Sequence, residues 1–357
     1  MLFDSFSSRA LNLKNRVVMS PMTRSRAVVA NTPNALMAEY YGQRAGAGLI
    51  VTEGTSPSPN GLGYPRIPGL FNAEHVKGWK LVTDAVHAKG GKIFVQLMHT
   101  GRVGTRLNLP ATAEVVAPAE AALEGEMYTD AKGMQAHDKP RAMTAADIDR
   151  AIGEYVQAAK LAIEAGFDGI ELHGANGYLI EQFLNANVNK RSDNYGGSIE
   201  NRNRFLLEIA RGAVAAIGAE RVGLRLSPYG VFNATGHYPE QDAQYLALAQ
   251  ELSDLKLAYL HVLDHSAMGA PAVPETLKTR LREVFAGPFI LAGGFDAKSA
   301  EQALREDRAD LIAIGRPFIS NPDLVERYRK GAEVTVPDDS TFYTPGEKGY
   351  SDYPALA

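Results

Sequence analysis

Eight short apolar runs, separated by longer stretches of helical spacing, recur along the whole chain and leave few folds open to it. The runs are Arg16–Ser20, Leu49–Glu53, Lys92–Leu97, Gly169–His173, Val222–Ser227, Tyr259–Leu263, Phe289–Gly293 and Leu311–Gly315. Each is rich in β-branched or aliphatic residues and is followed by Gly, Pro, Ser or another polar residue, which is how a buried strand ends. The clearest helical segment runs from Ala145 to Ala165 and sets Ile148, Ile152, Tyr155, Val156, Ala159 and Ile163 on one face. Thr144 followed by Asp147 predicts its N-terminal cap. Eight such units predict an α/β fold, a (β/α)₈ TIM barrel with a closed parallel sheet inside and helices outside. An open doubly wound sheet competes, but no leading G-x-G-x-x-G turn is present to support it. A barrel also accommodates all 357 residues as one domain.

The segment from Gly101 to Arg141 is a long insertion after the third strand, expected to act as a lid or binding loop. Pro57–Gly69 reads as a turn-rich loop after the second strand. The first ten residues are expected to cap the amino end of the barrel. Composition removes several chemistries. With no cysteine there is no disulfide, thiolate nucleophile or cysteine-bound metal. A net charge of −4 gives no reason to expect nucleic acid or an anionic membrane as partner. No apolar run reaches the roughly 20 residues of a membrane span, so a cytoplasmic protein is the expectation.

Barrel enzymes place their chemistry where strands end at the carboxyl rim. Those ends carry Thr23, Gly54, Gln96, His173, Arg225, Gly293, Gly294, Gly315 and Arg316. The last two strands close in Ala292-Gly293-Gly294-Phe295 and Ile314-Gly315-Arg316-Pro317. Paired glycine loops with an arginine suit a phosphate held by backbone N–H groups, although glycines also serve simple tight turns. Arg225 sits inside an apolar frame, Val222-Gly223-Leu224-Arg225-Leu226. It reads either as half of a buried ion pair or as a cation facing an electron-accepting cofactor. After the fourth strand, His173 and Asn176 offer two donors to one substrate oxygen, and Tyr178 offers a proton. Glu171 is expected to point away from His173. No metal motif is found, and no G-x-S-x-G elbow supports a hydrolase.

Taken in order, these segments resemble the old yellow enzyme family along nearly the whole chain. The similarity lies in Lys14-Asn15-Arg16 through Pro21-Met22-Thr23-Arg24, Val95-Gln96-Leu97, and His173 through Arg202, the last containing Asn189-Lys190-Arg191-Ser192-Asp193-Asn194-Tyr195-Gly196-Gly197. It continues in Gly223-Leu224-Arg225-Leu226-Ser227-Pro228, in Gly315-Arg316 with Phe318 to Leu324, and in Gly349-Tyr350-Ser351-Asp352-Tyr353-Pro354. The resemblance implies non-covalent FMN, reduced by NADPH or NADH, and hydride delivery from the flavin to the β-carbon of an activated alkene. It implies that Thr23 bonds the flavin O4, that Gln96 and Arg225 meet the pyrimidine edge, and that Pro21, Met22 and Gly54 line the ring. Gly293, Gly294, Gly315 and Arg316 would hold the phosphate. His173 and Asn176 would bind a carbonyl or nitro oxygen, Tyr178 would protonate the α-carbon, and Tyr343 would stand near the flavin or the substrate channel. Phenolic ligands would occupy the same site, in a monomer or homodimer.

Two departures bear on this. Relatives of this type often carry tryptophan after Gln-Leu, where this chain has Met98, which predicts a roomier pocket. Another subgroup has cysteine where Thr23 stands. Relatives built on an iron–sulfur cluster need cysteines that are absent here. The alternative reading is another FMN-binding barrel oxidoreductase, such as a nitroester or nitroaromatic reductase.

Overall fold

The computed structural model describes residues 1–356. Eight parallel strands close into a barrel: β1 (Val17–Met19), β2 (Leu49–Thr55), β3 (Ile93–Leu97), β4 (Gly169–Gly174), β5 (Val222–Leu226), β6 (Tyr259–Leu263), β7 (Phe289–Ala292) and β8 (Leu311–Ile314). All eight expected runs form strands, with ends that agree to within two residues. Every strand is buried throughout, yet its side chains still alternate between two cores. Val18, Leu49, Phe94, Ile290 and Leu311 fill the barrel interior. Val17, Ile50, Val95, Leu224 and Ile312 pack outward against the helices.

The N-terminal segment forms a small antiparallel hairpin, Phe6–Ser7 with Asn12–Leu13. Its Leu11 and Leu13 join the interior cluster beside Leu49 and Leu311, the first residues of β2 and β8. This closes the amino end as expected, and burial of each leucine contributes about 1.5–3 kcal/mol. The carboxyl rim is left as the open end.

The helix Ala145–Glu164 starts with a capping box in which the Thr144 hydroxyl accepts from the Asp147 N–H and the Asp147 carboxylate accepts from the Thr144 N–H. The 101–141 insertion is more ordered than a bare loop. Glu126–Thr129 pairs with Gly133–Ala136 as an antiparallel ribbon, and Val116–Ala117 pairs with Arg141–Ala142. After β4 the chain makes a short helix, Leu179–Leu184, before the long Ile199–Ile217 helix capped by Ser198. That extra turn of helix holds the segment from Gly174 to Tyr178 over the rim.

Candidate active site

A cavity of about 440 Å³ opens at the carboxyl rim. Pro21, Met22 and Thr23 after β1 form one wall, and Gly293 and Gly294 after β7 with Gly315 and Arg316 after β8 form another. Asn176, Tyr178, Arg225 and Tyr343 complete the part foreseen from the sequence. Three foreseen residues stand behind this surface. His173 lies under Tyr178, with ring centroids 5.1 Å apart. Gln96 is bound deeper in the barrel to Glu171. Gly54 is covered by Met98, whose Sδ would lie 2.5 Å from a Cβ built on the glycine.

The glycines differ in what they are for. Gly293 and Gly294 adopt φ of +136° and +72°, and a Cβ on Gly293 would fall 2.3 Å from the Asp264 carbonyl oxygen. The turn itself therefore requires glycine at Gly293. Gly315 has no such constraint: its Cβ would meet only Met22 and Ser20, at 3.6 and 3.7 Å, both on the cavity wall. What a side chain there would take is cavity space. Beside it Arg316 stands exposed at the rim.

The turn after β4 is braced from below. Asn176 has φ of +61°, the left-handed conformation that asparagine tolerates better than most residues. Its N–H donates to Ser227 Oγ at 2.9 Å, and its carbonyl accepts from Asn233 Nδ2 at 2.7 Å. Glu181 Oε2 accepts from the Gly177 N–H at 2.6 Å and from Ser227 Oγ at 3.1 Å. Backbone bonds are thus met, while several side-chain atoms at the site or just beneath it are not. His173 Nδ1, Asn176 Oδ1, Arg225 Nε and His265 Nδ1 are buried with no partner among the described residues. Each such atom costs about 1–3 kcal/mol, so a cluster of four marks a surface built to meet something else.

Charge states follow from burial. Burial, reinforced by the Arg225 charge, holds the His173 imidazole well below its ordinary value, so it is neutral with one N–H to donate. Burial, and Tyr64 next to it, push the Tyr178 phenol well above 10, so it keeps its proton. The Tyr64 and Tyr178 hydroxyls lie 3.0 Å apart. The sequence reading passed over Tyr64 because the loop carrying it showed only turn residues. It also passed over His265, which lines the cavity and packs its ring 4.5 Å from Phe232.

Glu171 corrects another expectation. Residues two apart in a strand share a face, so Glu171 points inward with His173 and not away from it. Its Oε1 accepts from Gln96 Nε2 at 2.8 Å, and its Oε2 lies 2.8 Å from His261 Nδ1. Burial alone would raise its pKa, but His261, Arg225 and Gln96 together hold it below the usual carboxylate range.

A planar group with a hydrogen-bonding edge over Arg225 and Gln96, and an anionic tail reaching Gly315 and Arg316, fits this donor set. The comparisons agree. The family model for NADH:flavin oxidoreductase / NADH oxidase matches residues 1–334. The chain belongs to that family. It is the old yellow enzyme family named from the sequence, whose cofactor is FMN and whose reductant is a nicotinamide. The chain is 44% identical to the flavin oxidoreductase hxnT of Emericella nidulans, over 99% of this chain and 97% of the relative. It is 41% identical to a probable flavin mononucleotide-dependent alkene reductase of Leishmania infantum, over 96% and 94%. Morphinone reductase in complex with tetrahydroNAD superposes with a TM-score of 0.94 at 43% identity, over 100% of this chain and 98% of that one. No helix among the described residues is long and apolar enough to cross a membrane.

Proposed function

We propose that this member of the old yellow enzyme family is an NAD(P)H-dependent ene-reductase acting on alkenes activated by a carbonyl or nitro group. The observation that carries this is the unspent Nδ1 of buried His173, beside the Asn176 amide on the cavity wall and a phenol, Tyr178, that burial keeps protonated. The alkene reductase of Leishmania infantum supports the same reading. Bound FMN supplies the hydride, taken from the nicotinamide and given to the β-carbon of the alkene.

The chain's own groups do the rest. Neutral His173 and the Asn176 amide donate to the activating oxygen, which draws electron density from the alkene and makes the β-carbon electrophilic. The same donors stabilise the negative charge that develops on that oxygen. Tyr178 is placed to give its proton to the α-carbon, with the Tyr64 hydroxyl 3.0 Å from its oxygen as its hydrogen-bond partner. Thr23, Pro21 and Met22 would line the ring, Gln96 and Arg225 would hold its polar edge, and Gly315 and Arg316 would hold the phosphate, with Gly293 and Gly294 shaping the neighbouring loop. Tyr343 and Phe342 wall the entrance. Gly54 contributes through the space that Met98 occupies.

Stopped-flow measurement of the two half-reactions tests the assignment. Tyr178→Phe should slow alkene reduction by roughly 10²-fold or more, while flavin reduction by the nicotinamide stays within about twofold. Equal losses in both half-reactions would remove Tyr178 from the role of proton donor.

A further inference from the structure

The barrel interior at and below the cavity floor holds a polar layer in which Glu171, Tyr259 and His261 have no direct use in alkene reduction as described above. Strand register sets His173, Arg225 and His261 side by side on β4, β5 and β6. One step toward the amino end, Gln96, Glu171, Gly223 and Tyr259 form the next row across β3 to β6. Gly223 has no side chain because the Tyr259 ring fills its place, with Cζ 2.2 Å from where a Cβ would lie. Gln96 from this row and His261 from the row above both bond Glu171, which is fully buried, as is His261. Arg225 is 5% exposed, has an unpartnered Nε, and feels Glu171 as the strongest opposite charge acting on it.

Two consequences follow from hydrogen-bond chemistry. A carboxylate only accepts, so the Gln96 NH₂ must face Glu171 and the Gln96 carbonyl must face the other way. The amide is therefore presented as an acceptor to whatever lies above it. A carboxylate one row below Arg225 also offsets the guanidinium charge, so the site is less positive than Arg225 alone would make it.

We propose that Glu171 is a positioning residue of the flavin site: it fixes the Gln96 amide so that its carbonyl oxygen receives a ring N–H, and its negative charge keeps the potential of the bound flavin down. This rests on FMN lying over Gln96 and Arg225, as in the reading above. Arg225 favours the reduced ring, which carries negative charge, and Glu171 moderates that preference. The setting matters because the flavin has to accept electrons from a nicotinamide and still yield them to an alkene.

The test separates charge from orientation in the holoenzyme. Glu171→Gln removes the charge but keeps an oxygen for the Gln96 NH₂. Glu171→Asp keeps the charge but withdraws the carboxylate by one methylene from Gln96. Spectroelectrochemical titration of Glu171→Gln should show reduced flavin favoured roughly tenfold more than in the unaltered protein. For a two-electron couple that is an upward shift of about 30 mV. Glu171→Asp should leave the potential near its original value and weaken FMN binding several-fold. If Glu171→Gln holds FMN too weakly to titrate, the ratio of dissociation constants for oxidised and reduced FMN carries the same tenfold change. An unchanged potential and ratio in Glu171→Gln, or equal shifts in both variants, would overturn the proposal. Failure of the unaltered, FMN-loaded protein to reduce any activated alkene would instead overturn the ene-reductase reading and leave these potentials to be judged on their own.

Discussion

Among the buried arginines, a trio near the chain's two ends and a single one in the barrel are treated in opposite ways. Arg24, Arg26 and Arg44 sit between the first barrel helix region and the C-terminal segment. Arg44 donates to the carbonyls of Tyr40, Phe318, Ile319 and Tyr350 and lies 3.7 Å over the Tyr40 ring. Arg24 and Arg26 bond the carbonyls of Thr341, Phe342, Gly346, Lys348 and Gly349. Tyr40 and Tyr350 stack at 4.0 Å between them. Arg225, in the barrel, has a buried Nε with no partner. The trio is hydrogen-bonded throughout and pins the strap that carries Phe342 and Tyr343 to the cavity. Arg225 is left unsaturated. Burial alone, shared by both, does not separate a structural arginine from one that waits for a ligand; the number of donors already used does.

Replacing each kind by methionine tests this most severely. Arg44→Met leaves four buried carbonyls without a donor, so the apoprotein should lose about 3–5 kcal/mol of unfolding free energy in urea titration. Arg225→Met removes an unpartnered donor but also takes a cation from buried Glu171, which keeps Gln96 and His261, so the apoprotein should lose about 1–2 kcal/mol, less than Arg44→Met, while FMN affinity falls strongly. Comparable stability losses in the two variants would end the distinction.

What the sequence made legible is what neighbouring residues decide. The eight strands follow from local apolar runs, the Thr144 cap from a four-residue pattern, and the rim residues from strand ends. The insertion was legible as an insertion but not as a ribbon, because Gly133–Ala136 carries no clear alternation of its own. Contacts between distant segments were not legible. Gln96 meets Glu171 across 75 residues and His261 meets Glu171 across 90. The arginine strap joins residues more than 270 apart. No local pattern marks such partners, so Tyr64 was read as mere loop; that Glu171 shares the face of His173 was legible from strand alternation and was misread. His173, Asn176 and Tyr178 were found because they lie within six residues of one another.

Filled and unfilled space differ in the same way around Met98. The sequence led us to expect a roomier pocket there, but Met98 does not line the cavity. It is buried with Leu62 and Ile67 against Tyr64 and Tyr178 and occupies the gap above Gly54. Tryptophan at that position overpacks a filled site. Met98→Trp should cost about 1–3 kcal/mol in urea unfolding. It should also displace Tyr64 or Tyr178 and change the enantiomer ratio of reduced enones, read by chiral chromatography. Unchanged stability together with unchanged product ratios would mean that the space is spare after all.

The smallest expected effect comes from a saturated group of the opposite charge. Glu181 braces the Asn176 turn, and burial pushes its carboxyl up to about 7 despite the donors of Gly177, Ser227 and Tyr245. No cation offsets it, unlike Glu171 beside Arg225. In the folded state Glu181 keeps its proton to near neutrality, whereas in the unfolded chain it loses it near 4.5. Between those values the folded protein binds more protons than the unfolded one, so this contribution is complete at low pH and is lost as pH rises, by at most about 1.4 kcal/mol per pH unit. Glu181→Gln has no proton to lose, and its single carbonyl oxygen can still take both bonds that now end on Oε2. Measured by urea unfolding at pH 5.5, 6.5 and 7.5, the variant should gain on the unaltered protein as pH rises. Glu53, also pushed up to about 7 by burial, contributes the same slope to both proteins and cancels in the difference. A difference that stays flat across this range would show that Glu181 is already ionised in the fold, and that the turn beneath the substrate donors carries a full negative charge.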